Sequence, residues 1–186
     1  LFTILPLALG IGFSLSPFTA LTPAPSPVAQ TEWHAQIGDR IVVDTQENQG
    51  YLIHSNGRYL EFPVATGRRS YVCYIGRCYN ATTPVREWRI ASKDIKGDHM
   101  TFGPSGRFLR LYYKDESTPY GFHEYGNEES MFDDQPRFKS MGCIIVKRSI
   151  MDILDRTFAV NEGKIDVVTK FGVTETTKLA FAEREK

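Results

Sequence analysis

Between Arg40 and Val64 the chain is built of short β-branched or aromatic runs, each closed by turn residues before a helix could complete two turns. Ile41-Val42-Val43-Asp44 leads into Gln46-Glu47-Asn48-Gln49-Gly50, then Tyr51-Leu52-Ile53-His54, then Ser55-Asn56-Gly57-Arg58, then Tyr59-Leu60-Glu61-Phe62-Pro63-Val64. Asn and Gly both tolerate positive φ, so Asn56-Gly57 between two apolar runs predicts a tight hairpin. Trp88–Ala91, Phe108–Tyr113, Gly142–Val146 and Lys164–Thr169 read as further strands. One helix is predicted after Cys143. Ser149 is its candidate cap, Ile150, Ile153, Leu154 and Phe158 share a face, and it stops near Asn161–Gly163. Short strands with one main helix predict a mainly β domain.

The 186 residues suffice for one domain with a proper core. Lys plus Arg (22) balance Asp plus Glu (22), which removes the cationic excess that nucleic-acid binding needs, so no nucleic-acid partner is expected. Residues 1–20, LFTILPLALGIGFSLSPFTA, carry no charge and read as a signal peptide or a membrane anchor. Pro6, Gly10, Gly12 and Pro17 interrupt the run, which favours the signal peptide. Either reading puts the rest of the chain outside the cytoplasm, with the membrane involved only through such an anchor. Residues 21–36 read as a proline-rich linker, 37–172 as the folded domain and 173–186 as a polar tail.

Three cysteines fit that location. Cys73 and Cys78 bracket a turn-like Tyr-Ile-Gly-Arg stretch, where a disulfide is expected in an oxidising compartment. The competing readings are two free surface thiols, or a metal site for which too few ligands are at hand. Pairing these two leaves Cys143 single. No repeat, glycine-rich phosphate loop or clustered His/Cys metal signature is present.

Tyr120-Gly121-Phe122-His123 precedes a polar stretch at 124–139, followed by Ser140-Met141-Gly142-Cys143-Ile144. A nucleophilic cysteine needs a base for its proton, and histidine suits that task near neutrality. His123 can serve if the loop folds back beside Cys143. Gly142 allows a tight turn in which backbone N–H groups face a developing oxyanion. By spacing alone, a cysteine in an apolar run reads more often as a small buried hydrophobe than as a nucleophile. His54 and His99 read as ordinary surface or half-buried histidines, and the acidic residues from Glu128 to Asp134 as a solvated loop.

The stretch Ser140-Met141-Gly142-Cys143-Ile144, with the upstream His123, resembles the active-site signature of the L,D-transpeptidase catalytic domain. Ile41–Asp44, the Asn56-Gly57 turn, Phe62–Gly67 and Thr83-Pro84 resemble that family's opening strands in order, so that the likeness covers roughly residues 38–170. It implies an L,D-transpeptidase-like β-sandwich of mixed sheets. It also implies Cys143 as nucleophile, His123 as general base, Ser140 orienting the imidazole, and the N–H groups of Gly142 and Cys143 as oxyanion hole. From the residues themselves, Tyr120 reads as a packing aromatic that could instead line the site beside His123, and it stands with Gly121 as a candidate for substrate contact. The implied partners are peptidoglycan stem peptides, donor and acceptor. The thiolate displaces terminal D-alanine and an acceptor amine captures the thioester, with no cofactor or metal.

The chain departs from the family pattern. Met141 stands where His is usual, Glu124 follows His123 where Gly is typical, and the basic or amide residue expected soon after the cysteine is replaced by Ile144-Ile145-Val146. Arg137 is the candidate replacement charge. Three other readings therefore stand beside transpeptidation: an L,D-carboxypeptidase using water, a wall-binding module with weakened catalysis, and an unrelated exported thiol hydrolase.

Overall fold

The computed structural model describes residues 24–74 and 76–182; the uncharged segment 1–20 lies outside them. Twelve strands are present among the described residues: β1 (Ser26–Pro27), β2 (Arg40–Asp44), β3 (Gln49–Ile53), β4 (Arg58–Gly67), β5 (Tyr71–Tyr74), β6 (Arg77–Asn80), β7 (Glu87–Ile95), β8 (Arg107–Tyr113), β9 (Glu116–His123), β10 (Phe138–Ser140), β11 (Ile144–Val146) and β12 (Ile165–Lys170). Four α-helices accompany them: α1 (His99–Phe102), α2 (Glu128–Phe132), α3 (Arg148–Val160) and α4 (Glu175–Ala182). The mainly β class with one main helix after Cys143 is thus realised.

The meander β2–β3–β4 forms where the turn-bounded apolar runs predict it. Gly57 turns the second hairpin at φ 84°, a conformation that costs glycine little. The main sheet then runs β4-β11-β9-β8-β7-β12-β2-β3, and β3 pairs back to β4, so the sheet closes on itself. Closure leaves these strands no free edge and encloses a core. Ile41, Leu52, Phe62, Leu109, Phe122 and Ile144 meet there with Ile150, Met151, Ile153 and Leu154 of α3.

α3 begins one residue before the expected cap. Its N-cap is Lys147, which makes no side-chain capping bond. The first backbone N–H, that of Arg148, donates instead to Glu128 Oε2 at 2.7 Å, so α2 supplies the cap.

β2 is buried along its whole length because both its faces are covered. Ile41 and Val43 face the main core, while Val42 joins Tyr51, Ile53, Tyr59 and Val168 in a second cluster sealed by Phe181. Phe181 belongs to α4, so part of the segment expected as a polar tail packs on the sheet. At the other end, Ser26–Pro27 lies parallel to β4, Val28 packs on the core, and the buried Trp33 ring stacks on His54 with centroids 3.7 Å apart. His54 is itself buried, its Nδ1 2.5 Å from Asp39 Oδ1, in place of the surface or half-buried position expected for it.

Candidate active site

A short parallel pairing of backbone decides where the chemistry-bearing residues meet. β11 lies parallel to β9 with Ile144 beside Phe122 and Ile145 beside His123. Side chains alternate along a strand, so the fully buried Ile144 and Phe122 point to the core and their neighbours point outward. Cys143 and His123, twenty residues apart in sequence, thereby open on one cleft of about 1420 Å³. Phe108 and Arg110 of β8 extend its floor. α1 contributes Thr101 and Phe102 to one wall, and the β5–β6 hairpin contributes Arg77 and Tyr79 to another.

The loop leading to Cys143 is held by hydroxyls. Thr83 Oγ1 accepts from the Gly67 N–H and donates to the Gly142 carbonyl, both at 2.9 Å. Ser140 Oγ donates to the Cys143 carbonyl at 2.6 Å and accepts from the Gly142 N–H at 3.1 Å. Gly142 sits at φ 118°, and a Cβ there would lie 2.7 Å from the Tyr120 ring, so both backbone angle and space require glycine.

Cys143 is the free thiol. Its Sγ lies 3.7 Å from the Pro119 carbonyl. Burial pushes the thiol up from 9.0 to about 11, opposed by the Gly121 N–H and by the charge of Arg110. Arg110 stands opposite Gly121 on β8, donates to the Thr118 carbonyl at 2.8 Å and pairs with Asp94.

His123 is buried with its Nδ1 2.5 Å from the Glu124 carbonyl, and its ring packs against Phe102 and Phe108. Burial holds its pKa below 6.5, opposed by backbone hydrogen bonds to Glu124 and Thr101 and by the Glu124 charge. Thiol and imidazole are therefore both neutral near pH 7 and share the cleft without a hydrogen bond to one another.

Three expected roles shift. Ser140 braces the cysteine turn and leaves orientation of the imidazole to the Glu124 carbonyl. The Gly142 N–H is occupied by Ser140, so it is not free to face an oxyanion in this conformation. Arg137 is buried away from the cleft, its guanidinium donating to the carbonyls of Val64 at 3.0 Å and Asn48 at 2.9 Å. Tyr120 lines the cleft, and Gly121 meets the sulfur through its backbone. Cys73 and Cys78 form the disulfide across the β5–β6 hairpin, with S–S 2.03 Å. Arg110 and Tyr79 escaped the sequence reading, and Thr83 and Glu124 entered it only as part of the family likeness and as a departure from it, without a place at the site. For Arg110 a signal was available, because in Leu109-Arg110-Leu111 the alternation sets the cation on the face opposite two core leucines.

Residues 38–165 match the family YkuD, the L,D-transpeptidase catalytic domain. The chain belongs to that family. Among solved structures the domain is similar to the L,D-transpeptidase (residues 123–326) of Xylanimonas cellulosilytica DSM 15894, at 17% identity and TM-score 0.52. That alignment covers 74% of this chain and 63% of the other. It is also similar to the helical cell shape determining protein Pgp2 (K307A mutant) of Campylobacter jejuni, at 15% identity and TM-score 0.52, with 81% and 54% of the two chains covered. Bd1075 of Bdellovibrio bacteriovorus gives 12% identity and TM-score 0.52, with 86% and 56% covered. At such identities the likeness is one of fold, and the chain spans between about half and two thirds of those proteins' lengths. No curated protein matches the chain in sequence.

Proposed function

We propose that this L,D-transpeptidase domain transfers acyl groups between peptidoglycan stem peptides, with Cys143 as nucleophile and His123 as general base. One observation carries the reading: the β9–β11 register brings His123 at the end of β9 and Cys143 just ahead of β11 into one cleft. A resting neutral pair suits a base that takes the proton only as the bond forms. Catalytic hydrogen bonds missing from a free enzyme commonly form when substrate arrives.

The reaction balances on these groups. His123 accepts the thiol proton as Sγ attacks the carbonyl of the donor's diamino acid. The tetrahedral oxyanion is met by the Cys143 N–H, joined by the Gly142 N–H once Ser140 releases it. Collapse breaks the bond to terminal D-alanine, which leaves as an amine carrying the proton from His123. An acceptor amine then attacks the thioester, gives its proton to His123, and restores the thiol with a new amide bond. The thioester stores the acyl group, so the chemistry requires no cofactor. Tyr120 and Gly121 border the donor's path, and Arg110 takes the part foreseen for Arg137, a cation close to the reacting sulfur. Such substrates place the domain's work outside the cytoplasm; among the described residues no helix is long and apolar enough to cross a membrane.

The purified protein mixed with a disaccharide tetrapeptide is expected to gain a covalent adduct by intact mass, absent from Cys143→Ala, followed by D-alanine release and a dimeric product. Tripeptide without dimer would assign the carboxypeptidase reaction. No adduct with several stem peptides would leave a wall-binding module.

A further inference from the structure

The chain balances 22 basic residues with 22 acidic ones, but its cleft is unbalanced. Arg68, Arg77, Lys96, Arg110 and Lys139 line it, and among the described residues Asp98 is the one carboxylate beside them. Asp98 is already engaged, accepting from the Met100 and Thr101 N–H groups at 3.1 Å. The cations fall into two groups. On the side of β7 and β8, Lys96 and Arg110 share Asp94, with Lys96 Nζ at 3.0 Å. Across β11 from them, Arg68 follows β4 and Lys139 lies on β10, while β6 carries Arg77. Cys143, just ahead of β11, therefore stands between the two groups.

The second group is built into the site and lacks a counter-charge. Arg68 Nε donates to the Lys139 carbonyl at 3.3 Å, and Lys139 Nζ donates to the Ser130 carbonyl at 2.7 Å. The Arg68 N–H donates to the Ser140 carbonyl at 2.9 Å, which ties the group to the turn that Ser140 braces. Arg77 arrives on the β5–β6 hairpin, which among the described residues pairs with no strand of the main sheet. Such a hairpin is marginal by itself, so the Cys73–Cys78 bond steadies the strand that carries Arg77. Among the described residues none of these three cations pairs with a carboxylate, in contrast to Arg107 with Glu124 and Lys93 with Asp155. Like charges gathered on one wall repel, and an anion placed among them removes the repulsion.

We propose that Arg68, Arg77 and Lys139 form a carboxylate-binding wall that selects stem peptides with free internal carboxylates over the same peptides amidated at those positions. The proposal deepens the acyl-transfer reading, on which it rests for the identity of the substrate. A free carboxyl group accepts two parallel bonds from a guanidinium, and Arg68 and Arg77 each present such a fork. Lys139 adds a point charge beside them. The amide has nearly the same shape but no charge, and its NH2 group meets only donors on this wall. Discrimination therefore comes from a penalty on the amide as well as from attraction of the acid. Arg110 has Asp94 as its counter-charge and stands outside this selection.

The test is calorimetric binding of two disaccharide tetrapeptides to the Cys143→Ala protein, one with its internal carboxyl groups free and one with them amidated. Adduct formation by the protein with Cys143 intact is followed beside it by intact mass. The acid form is expected to bind roughly tenfold more tightly at about 0.05 M salt, and its advantage to shrink to about twofold at about 0.5 M. Adding Arg68→Gln or Arg77→Gln should cut the advantage to roughly threefold, and adding both should remove it. Both side chains are exposed, so these changes leave the core untouched, and the salt series needs neither of them. Equal affinities for the two forms, or an advantage that survives both substitutions, overturn the proposal. A salt-sensitive preference for the acid form in a protein that never forms an adduct upholds the wall and overturns the acyl-transfer reading. Adducts formed equally fast with both forms, at equal affinity, uphold acyl transfer and overturn the wall.

Discussion

A thiol pushed up to about 11 sets the reactivity of Cys143 toward any reagent that brings no base of its own. Only the thiolate attacks, and below the pKa its fraction rises tenfold with each pH unit. With Cys73 and Cys78 joined, Cys143 is the thiol open to alkylation. Iodoacetamide labelling followed by mass spectrometry should therefore accelerate from about pH 7 to about pH 10 with no levelling. A plateau near the ordinary thiol value of 9.0 would contradict the burial argument. Acylation by a stem peptide should behave differently. It is expected to rise as His123 loses its proton and then flatten, at a pH below 6.5, because burial holds the imidazole down. The sequence could nominate Cys143 and His123 as residue types in a suggestive order, but not these shifts. They depend on Phe102, Phe108 and Arg110, which reach the site through folding. The same holds for Arg137. On paper it is a loop cation, yet its carbonyl partners lie 73 and 89 residues away.

At the scale of elements, legibility followed residue type and turn signals. β2, β3 and β4 are β-branched or aromatic runs bounded by turn residues, α3 carries a helical repeat, and Asn56-Gly57 marked the hairpin, so these were readable. α1, α2 and the β5–β6 hairpin are short and mostly exposed, so burial imposes no pattern on their sequences. α2 shows what such an element can still do. The acidic residues Glu128 and Glu129 look alike in sequence, but only Glu128 reaches the first N–H of α3. A carboxylate at a helix N-terminus combines a capping bond with a favourable interaction with the helix dipole. Glu128→Ala is expected to cost about 1 kcal/mol in urea denaturation, with Glu129→Ala close to neutral. Equal losses from both would mean that the pair acts through general charge and not through the cap.

Across the whole molecule, closure of the sheet separates two burdens. Strands β8, β9 and β11 carry the cleft, while β2, β3 and β12 on the opposite arc carry the second cluster under α4. Phe181 is 5% exposed there, and Lys178 Nζ lies 4.2 Å from the ring centroids of both Tyr51 and Tyr59. Neither residue stands out in a sequence read as a polar tail, because α4 has only a weak apolar stripe and most of its partners, on β2, β3 and β4, are more than a hundred residues upstream. Their removal should lower stability without reshaping the cleft. Phe181→Ala is expected to cost about 3 kcal/mol, a loss of burial plus a cavity, and Lys178→Ala about 1 kcal/mol for a partly desolvated cation over two rings. Stability read by urea denaturation should fall by these amounts. The rate of Cys143 acylation, measured where each variant remains fully folded, should stay within about twofold of the wild type, since mutations that share no partners act independently. A large rate loss in folded Phe181→Ala would mean that strain does pass around the closed sheet, through β4 or β7, to the strands that hold Cys143 and His123.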